Sequence, residues 1–100
     1  MNANFSAIIN QNQLTLVDFY ADWCGPCQML SPILQYVKSD LGDLIKIIKV
    51  NVDQHQDLAS EFMVRGVPTM LLFKNGKMLW RQSGVLSKKD IISVINQFQN

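Results

Sequence analysis

Two cysteines stand three positions apart in the stretch WCGPCQML, residues 23–30, and the chain has no others. Trp23 precedes them, and Gly25 and Pro26 separate them. Thiols at this spacing can work as a dithiol–disulfide pair if Cys24 lies at the start of a helix. Three residues along a helix rise about 4.5 Å. With the lateral offset, the two Cα atoms then fall inside the roughly 4.4–6.8 Å separation that a disulfide needs. The pair can close with little backbone movement, so oxidised and reduced forms can share one fold. The helix start also favours an anion, through its free N–H groups and its dipole. Cys24, at the terminus, should therefore become a thiolate more readily than Cys27 inside the first turn. Cys24 is expected to be the nucleophile that attacks a substrate disulfide. Cys27 is expected to resolve the mixed disulfide and release the reduced substrate. Gly25 and Pro26 restrict the turn between them and carry no reactive group.

Other uses of two thiols fit less well. A structural zinc site needs about four ligands, and the chain offers two Cys and one His, His55. Asp or Glu would have to complete such a site, so no metal is expected. A purely structural disulfide is a weak alternative, because so short a loop removes little entropy from the unfolded chain. Two cysteines are also too few to staple a small secreted domain; in a reducing compartment they point to redox or metal chemistry.

Composition excludes several partners. The formal charge is +1, and the nine Lys and Arg are scattered singly apart from Lys88–Lys89. Nucleic acid needs a concentrated basic face, and anionic lipid needs a polybasic patch. No uninterrupted apolar run approaches the length of a bilayer span. The start, MNANFSAIINQNQ, has no Lys or Arg and no apolar signal core. It predicts a cytoplasmic protein, or a mature form without its export signal. One hundred residues, 48% of them hydrophobic, suit one compact domain over 1–100.

The elements that must position the thiols follow from periodicity. Phe5, Ile8 and Ile9 fall at i, i+3 and i+4 and predict one short helical face. LTLVDFYA, 14–21, is apolar on both alternating faces and predicts a buried central strand. From about Cys24 to Leu41, the residues Leu30, Ile33, Leu34 and Val37 recur at helical spacing. Pro26 is tolerable in a first turn, whereas Pro32 removes the bond to Gln28 and should kink the helix. LIKIIKVNVD, 44–53, reads as a β-branched strand. QDLASEFMV, 56–64, reads as a short helix burying Leu58, Phe62 and Met63. TMLLFKNGKMLWRQS, 69–83, reads as a hairpin whose Asn75–Gly76 pair suits a type I′ turn. From Ser87 onward, Ile91, Val94, Ile95 and Phe98 share a helical face, with Ser87 as cap and Asp90 at N3. Two strands joined by a helix predict a parallel pair with a right-handed crossover, and the hairpin adds antiparallel strands. The expected fold is α/β, a mixed four-stranded sheet flanked by helices. Trp80 is expected in sheet packing. Met29, Met63, Met70 and Met78 are expected as core or gap-filling residues without a redox role.

VDFYADWCGPC (17–27) followed by QMLSP (28–32) resembles the active-site segment of thioredoxins. The likeness continues through KVNVDQ (49–54), VRGVPTMLLFKNGK (64–77) and Gly84, and covers residues 14–100 in order. A bare C-x-x-C is a weak signal, but WCGPC in this setting is specific. The resemblance implies a thioredoxin fold and a protein-disulfide reductase working through Cys24 and Cys27. An Asp at the place of Asp18 is, in that family, a buried proton acceptor behind the second cysteine, so Asp18 is the implied general base for Cys27. On its own terms a buried carboxyl tends to keep its proton, and a partly solvated structural Asp is the other reading. Lys49 resembles the lysine that accompanies that Asp; a snorkelling surface lysine is the alternative. For Val67–Pro68 the sequence by itself favours trans. The resemblance implies a cis Pro68 opposite the disulfide, which would occupy space beside Cys24, deter metal capture and expose the Val67 backbone to an extended substrate segment. Trp23, Gly66, Val67, Pro68 and Gly84 would form a flat, weakly apolar docking face. A core Trp23 and ordinary turns at Gly66 and Gly84 are the alternatives. No bound cofactor is implied beyond the Cys24–Cys27 disulfide. Electrons would come from NADPH through a thioredoxin reductase or a related reductase. The substrates would be oxidised proteins and the protein a monomer.

The chain departs from the family pattern in three places. Tyr20 stands where many thioredoxins have Trp, and is still expected under the active-site turn. Gln28 replaces a frequent Lys or Arg and removes a positive charge near the thiols. Only 13 residues precede Leu14, so the first strand of the family is expected to be absent or vestigial. Strand 44–53 would then be a sheet edge, where Lys46 and Lys49 discourage unwanted pairing; dimerisation through that edge is the alternative. Two rival functions remain. An oxidase or isomerase usually has His beside the second cysteine, which stabilises the thiolate and makes the disulfide more oxidising; Gly25–Pro26 argues against it. A non-catalytic binding module would use the same face with incidental thiols.

Overall fold

The computed structural model describes residues 2–99. The elements run α1 (Ala3–Ile9), β1 (Leu14–Tyr20), α2 (Gly25–Leu41), a 3-10 turn (Gly42–Leu44), β2 (Ile45–Asn51), α3 (Gln56–Glu61), β3 (Thr69–Lys74), β4 (Lys77–Ser83) and α4 (Lys88–Gln97). The sheet order is β2-β1-β3-β4. β1 and β2 are parallel, from Leu14 opposite Ile45 to Tyr20 opposite Asn51. β3 is antiparallel to both β1 and β4. This is the mixed four-stranded sheet that the alternation of strands and helices predicts. Asn75 (φ 53°) and Gly76 (φ 78°) form its hairpin turn, both in the left-handed region a type I′ turn requires.

β1 is apolar on both faces because it has strands on both sides and helices above and below. Leu14 and Leu16 point into a core with Leu30, Leu34 and Val37 of α2 and Ile91 and Ile95 of α4. Val17 and Phe19 point the other way, with Phe5, Ile9, Leu58, Leu71 and Phe73. Phe62 completes that second core, its ring 5.5 Å from those of Phe5 and Phe73. Side chains alternate along a strand, so Asp18 shares the α2 side with Leu14 and Leu16. α2 is continuous through Pro32. Ser87 caps α4, its Oγ accepting from the Asp90 N–H at 3.1 Å.

β2 is an edge strand. Asn2 caps α1 by accepting from the Phe5 N–H, and Ala3 already begins that helix. Among the described residues no strand precedes β1, and Lys46 and Lys49 lie on the resulting edge. Met1, the rest of the segment in which such a strand could lie, is outside the described residues.

The methionines correct one expectation. Met70 is fully buried, but Met29 and Met63 are each 64% exposed and Met78 is 39% exposed. Met29 lies off the buried stripe of Cys27, Leu30 and Leu34. Met78 sits on β4, an outer strand with few buried positions. Met63 is set by the end of α3. There the Val64 N–H reaches the Ala59 carbonyl at 2.8 Å and the Met63 N–H reaches Ser60 at 3.1 Å, the paired closure of a Schellman motif. That motif needs a left-handed residue, and Met63 supplies it at φ 54°. Arg81 reinforces the turn, donating to the Phe62 carbonyl at 2.6 Å and to that of Met63 at 3.0 Å. A side chain other than glycine is strained at this φ, and Met63 loses little burial on removal. Met63→Gly should therefore stabilise the fold by about 1 kcal/mol, read as a higher urea midpoint at unchanged slope.

Candidate active site

Cys24 is the N-cap of α2, and Pro26 lies in its first turn. Cys24 and Cys27 form a disulfide with Cα atoms 5.3 Å apart. Both are 4% exposed, so exposure does not tell the two sulfurs apart. Hydrogen bonding does: the Cys24 Sγ accepts from the Cys27 N–H at 3.1 Å. One free amide of the helix start thus points at the Cys24 sulfur, and the first turn carries no acidic side chain. Gly25 and Pro26 are exposed on the turn between the sulfurs. Among the described residues no three His, Cys, Asp or Glu side chains come together as a metal site.

Ala21 and the disulfide form a small apolar cluster, against which Tyr20, Val52 and Val67 pack. Tyr20 therefore lies beside the active-site turn. The Val67–Pro68 bond is cis. Among the described residues the Val67 backbone makes no hydrogen bond within the chain, while its neighbours are held. The Thr69 hydroxyl bonds the Gly66 carbonyl at 2.7 Å, and the Gly84 N–H bonds the Pro68 carbonyl at 2.9 Å. Gly84 has φ +92°, a conformation that side chains rarely adopt, so its part is to anchor Pro68 from β4's end. Gly66 is exposed, and a Cβ there would meet nothing within 4 Å.

Trp23 is 71% exposed, which removes the core reading. It borders a shallow groove with Val52, Val64, Arg65, Gly66 and Val67. Its Nε1 donates to Asp53 Oδ2 at 2.9 Å. Asp53 is a residue that the sequence alone did not mark. It stands 30 positions from Trp23, and only the β1–β2 pairing brings the two loops together.

A second opening approaches the disulfide from the β2 side. It is a cleft of about 210 Å³ lined by Tyr20, Ala21, Asp22, Cys27, Gln28, Ser31 and Lys49. Lys49 pairs in register with Asp18 and so shares its side of the sheet. The Lys49 Nζ donates to Ser31 Oγ at 3.2 Å and lies 4.5 Å from the centroid of the Tyr20 ring. Asp18 is fully buried, and neither carboxyl oxygen has a hydrogen-bond partner among the described residues. Burial pushes its pKa up to about 6, against the pull of the Lys49 charge. Ser31 is the second residue that the sequence left unmarked. Its available signal was its place four residues after Cys27, on the same helical face.

A C-x-x-C disulfide at a helix start on this sheet defines a class: thiol–disulfide oxidoreductases that carry their redox group in the chain itself. The thioredoxin family model matches residues 1–97. A thioredoxin of Haemophilus influenzae is 41% identical over 92 residues, 92% of this chain and 86% of the relative. One of Rickettsia typhi is 39% identical over 90 residues, 90% of this chain and 86% of that protein. Among solved structures, a mutant thioredoxin of Halobacterium salinarum superposes with TM-score 0.90 at 34% identity, covering 100% of this chain and 87% of that one. Oxidised mitochondrial thioredoxin 3 of Saccharomyces cerevisiae gives 0.86 at 33% identity, covering 95% and 88%. The chain belongs to the thioredoxin family. It is a disulfide oxidoreductase whose redox group is the Cys24–Cys27 disulfide, in a family that works with thioredoxin reductase and disulfide substrates.

Proposed function

We propose that the protein is a general reductant of protein disulfides, acting in the cytoplasm as a monomer and one domain over residues 1–100. Its electrons come from NADPH through a thioredoxin reductase. The observation that carries the assignment of roles is the Cys27 N–H aimed at Cys24 Sγ, since a donor to sulfur favours its anion. In the reduced protein the Cys24 thiolate attacks a substrate disulfide. A Cys24–substrate disulfide forms, and one substrate sulfur leaves as a thiolate and takes up a proton. Cys27 then gives its proton to the Asp18 carboxylate and attacks Cys24 Sγ. The Cys24–Cys27 bond closes, and the second substrate sulfur leaves as a thiolate that takes up the proton now on Asp18. Two electrons pass from the dithiol to the substrate, which gains two protons, one from solvent and one from Cys27 by way of Asp18. A carboxyl at about 6 is mostly ionised at neutral pH yet still basic, as a general base should be.

Trp23, Gly66, Val67 and Pro68 form the docking face, with Gly84 holding Pro68 in place. The unbonded Val67 backbone suits an extended substrate strand, and the bare Gly66 leaves that strand room. Asp53 fixes the Trp23 indole. Gly25 and Pro26 shape the turn, Tyr20 packs beside it, and Lys49 tunes Asp18. No helix among the described residues is long and apolar enough to cross a membrane.

Insulin reduction by dithiothreitol tests the reading. The protein should hasten the onset of turbidity at catalytic amounts; no acceleration would favour a binding module. Equilibration with glutathione separates reductant from oxidant. A reductant stays mostly oxidised in a glutathione mixture that fully reduces an oxidase-type site.

A further inference from the structure

The Lys49 ammonium occupies a definite place although its residue is exposed. Two groups account for that place. The Ser31 Oγ accepts a hydrogen bond from it at 3.2 Å, and the face of the Tyr20 ring lies 4.5 Å away. A cation over an aromatic face is attracted by the ring quadrupole. Both groups belong to the wall of the cleft that reaches Cys27. Ser31 stands one helical turn beyond Cys27, and Tyr20 ends the strand that carries Asp18.

We propose that Ser31 and Tyr20 are positioning residues for the resolving half-reaction: together they hold the Lys49 ammonium at the mouth of the Cys27 cleft, where its charge bears on Asp18. The inference rests on the reading of Asp18 as the base for Cys27. A free lysine samples many rotamers and spreads its charge into solvent, where screening weakens it. Held by Ser31 and Tyr20, it stays on the same side of the sheet as the carboxyl. The other elements around Asp18 offer no substitute. α2 presents Cys27, Leu30 and Ser31 to this side and no charge before Lys38. β3 places Met70 opposite Asp18, and α4 contributes Ile91 and Ile95 to the adjoining core. The loop after β1 adds the exposed Asp22 at the cleft rim. Lys49 is thus the one cation at this cleft among the described residues.

The test is the titration of Asp18 in the oxidised protein, followed by the carbon resonance of its carboxyl. With the thiols locked in the disulfide, no coupled group confuses the midpoint. Lys49→Met should raise the midpoint by about one pH unit. Ser31→Ala and Tyr20→Leu should each raise it by about half a unit, because the charge remains but is no longer fixed. Ser31→Thr keeps the hydroxyl and Tyr20→Phe keeps the ring, so both should titrate with the unaltered protein. A Ser31→Ala midpoint equal to that of the unaltered protein overturns the proposal. So does a Ser31→Thr variant that behaves as Ser31→Ala, or a Lys49→Met variant that does not shift. Failure of the base reading shows elsewhere. If Asp18→Asn resolves a mixed disulfide at the full rate at every pH, the base role falls, whatever the titration gives.

Discussion

Cys24→Ser should lower the rate of insulin reduction by at least about 10³-fold, with the fold intact. The serine hydroxyl is not ionised at neutral pH, so the amide aimed at position 24 has no thiolate to stabilise. Cys27→Ser should behave differently. Cys24 keeps its place at the N-cap and still attacks, so one equivalent of substrate becomes covalently held, and turnover stops there. Mass spectrometry after mixing with an oxidised substrate should show the adduct with Cys27→Ser and none with Cys24→Ser. The reverse pattern would exchange the two roles. Equal adducts from both would mean that the helix start does not distinguish the sulfurs.

Asp18→Asn should act in opposite directions on stability and on turnover. The folded protein holds the Asp18 proton to about pH 6, against a usual value of 3.8. Between those two values the folded state binds more protons than the unfolded state, so stability falls as pH rises through this window. Below 3.8 the full stability is present, and above about 6 it has been lost. The difference amounts to about 3 kcal/mol at pH 8. Asp18→Asn removes this dependence. The variant should exceed the unaltered protein by about 3 kcal/mol at pH 8, roughly 15 °C in Tm, and match it at pH 3. Urea unfolding of the oxidised forms at the two pH values measures this. An equal margin at both would show that the gain is not electrostatic. In turnover the same variant lacks the proposed proton acceptor, and resolution of the mixed disulfide should slow by about 10²-fold at neutral pH.

Most of the scaffold is legible from residue order. β1 is readable because LTLVDFY is apolar on both alternating faces, broken only by Thr15 and Asp18, which fits a strand between two layers, and the hairpin because Asn75–Gly76 admits two positive φ angles. The caps of α4 and α2 follow from Ser87 and from the Cys24–Pro26 start. Met63 misled, because QDLASEFMV reads as helix to residue 64 with Met63 on its apolar face, whereas α3 ends at Glu61. The Schellman closure turns it outward, and the Arg81 contacts that support it come from β4, 18 residues away. Proline isomerism at position 68 was legible only through family likeness.

The sequence by itself determined the chemistry: two thiols at a spacing that lets them bond, at a helix start that favours one as an anion. That much is local, set by backbone geometry over four residues. Only the tertiary structure decided what surrounds them. The parallel pairing of β1 with β2 puts Lys49 beside Asp18 and brings Asp53 to Trp23. The packing of α2 on that pair brings Ser31 to Lys49. These contacts join residues 18 to 31 positions apart, and side-chain patterning along one element carries no information about them. They are fixed by strand register and helix packing, which the whole core determines at once.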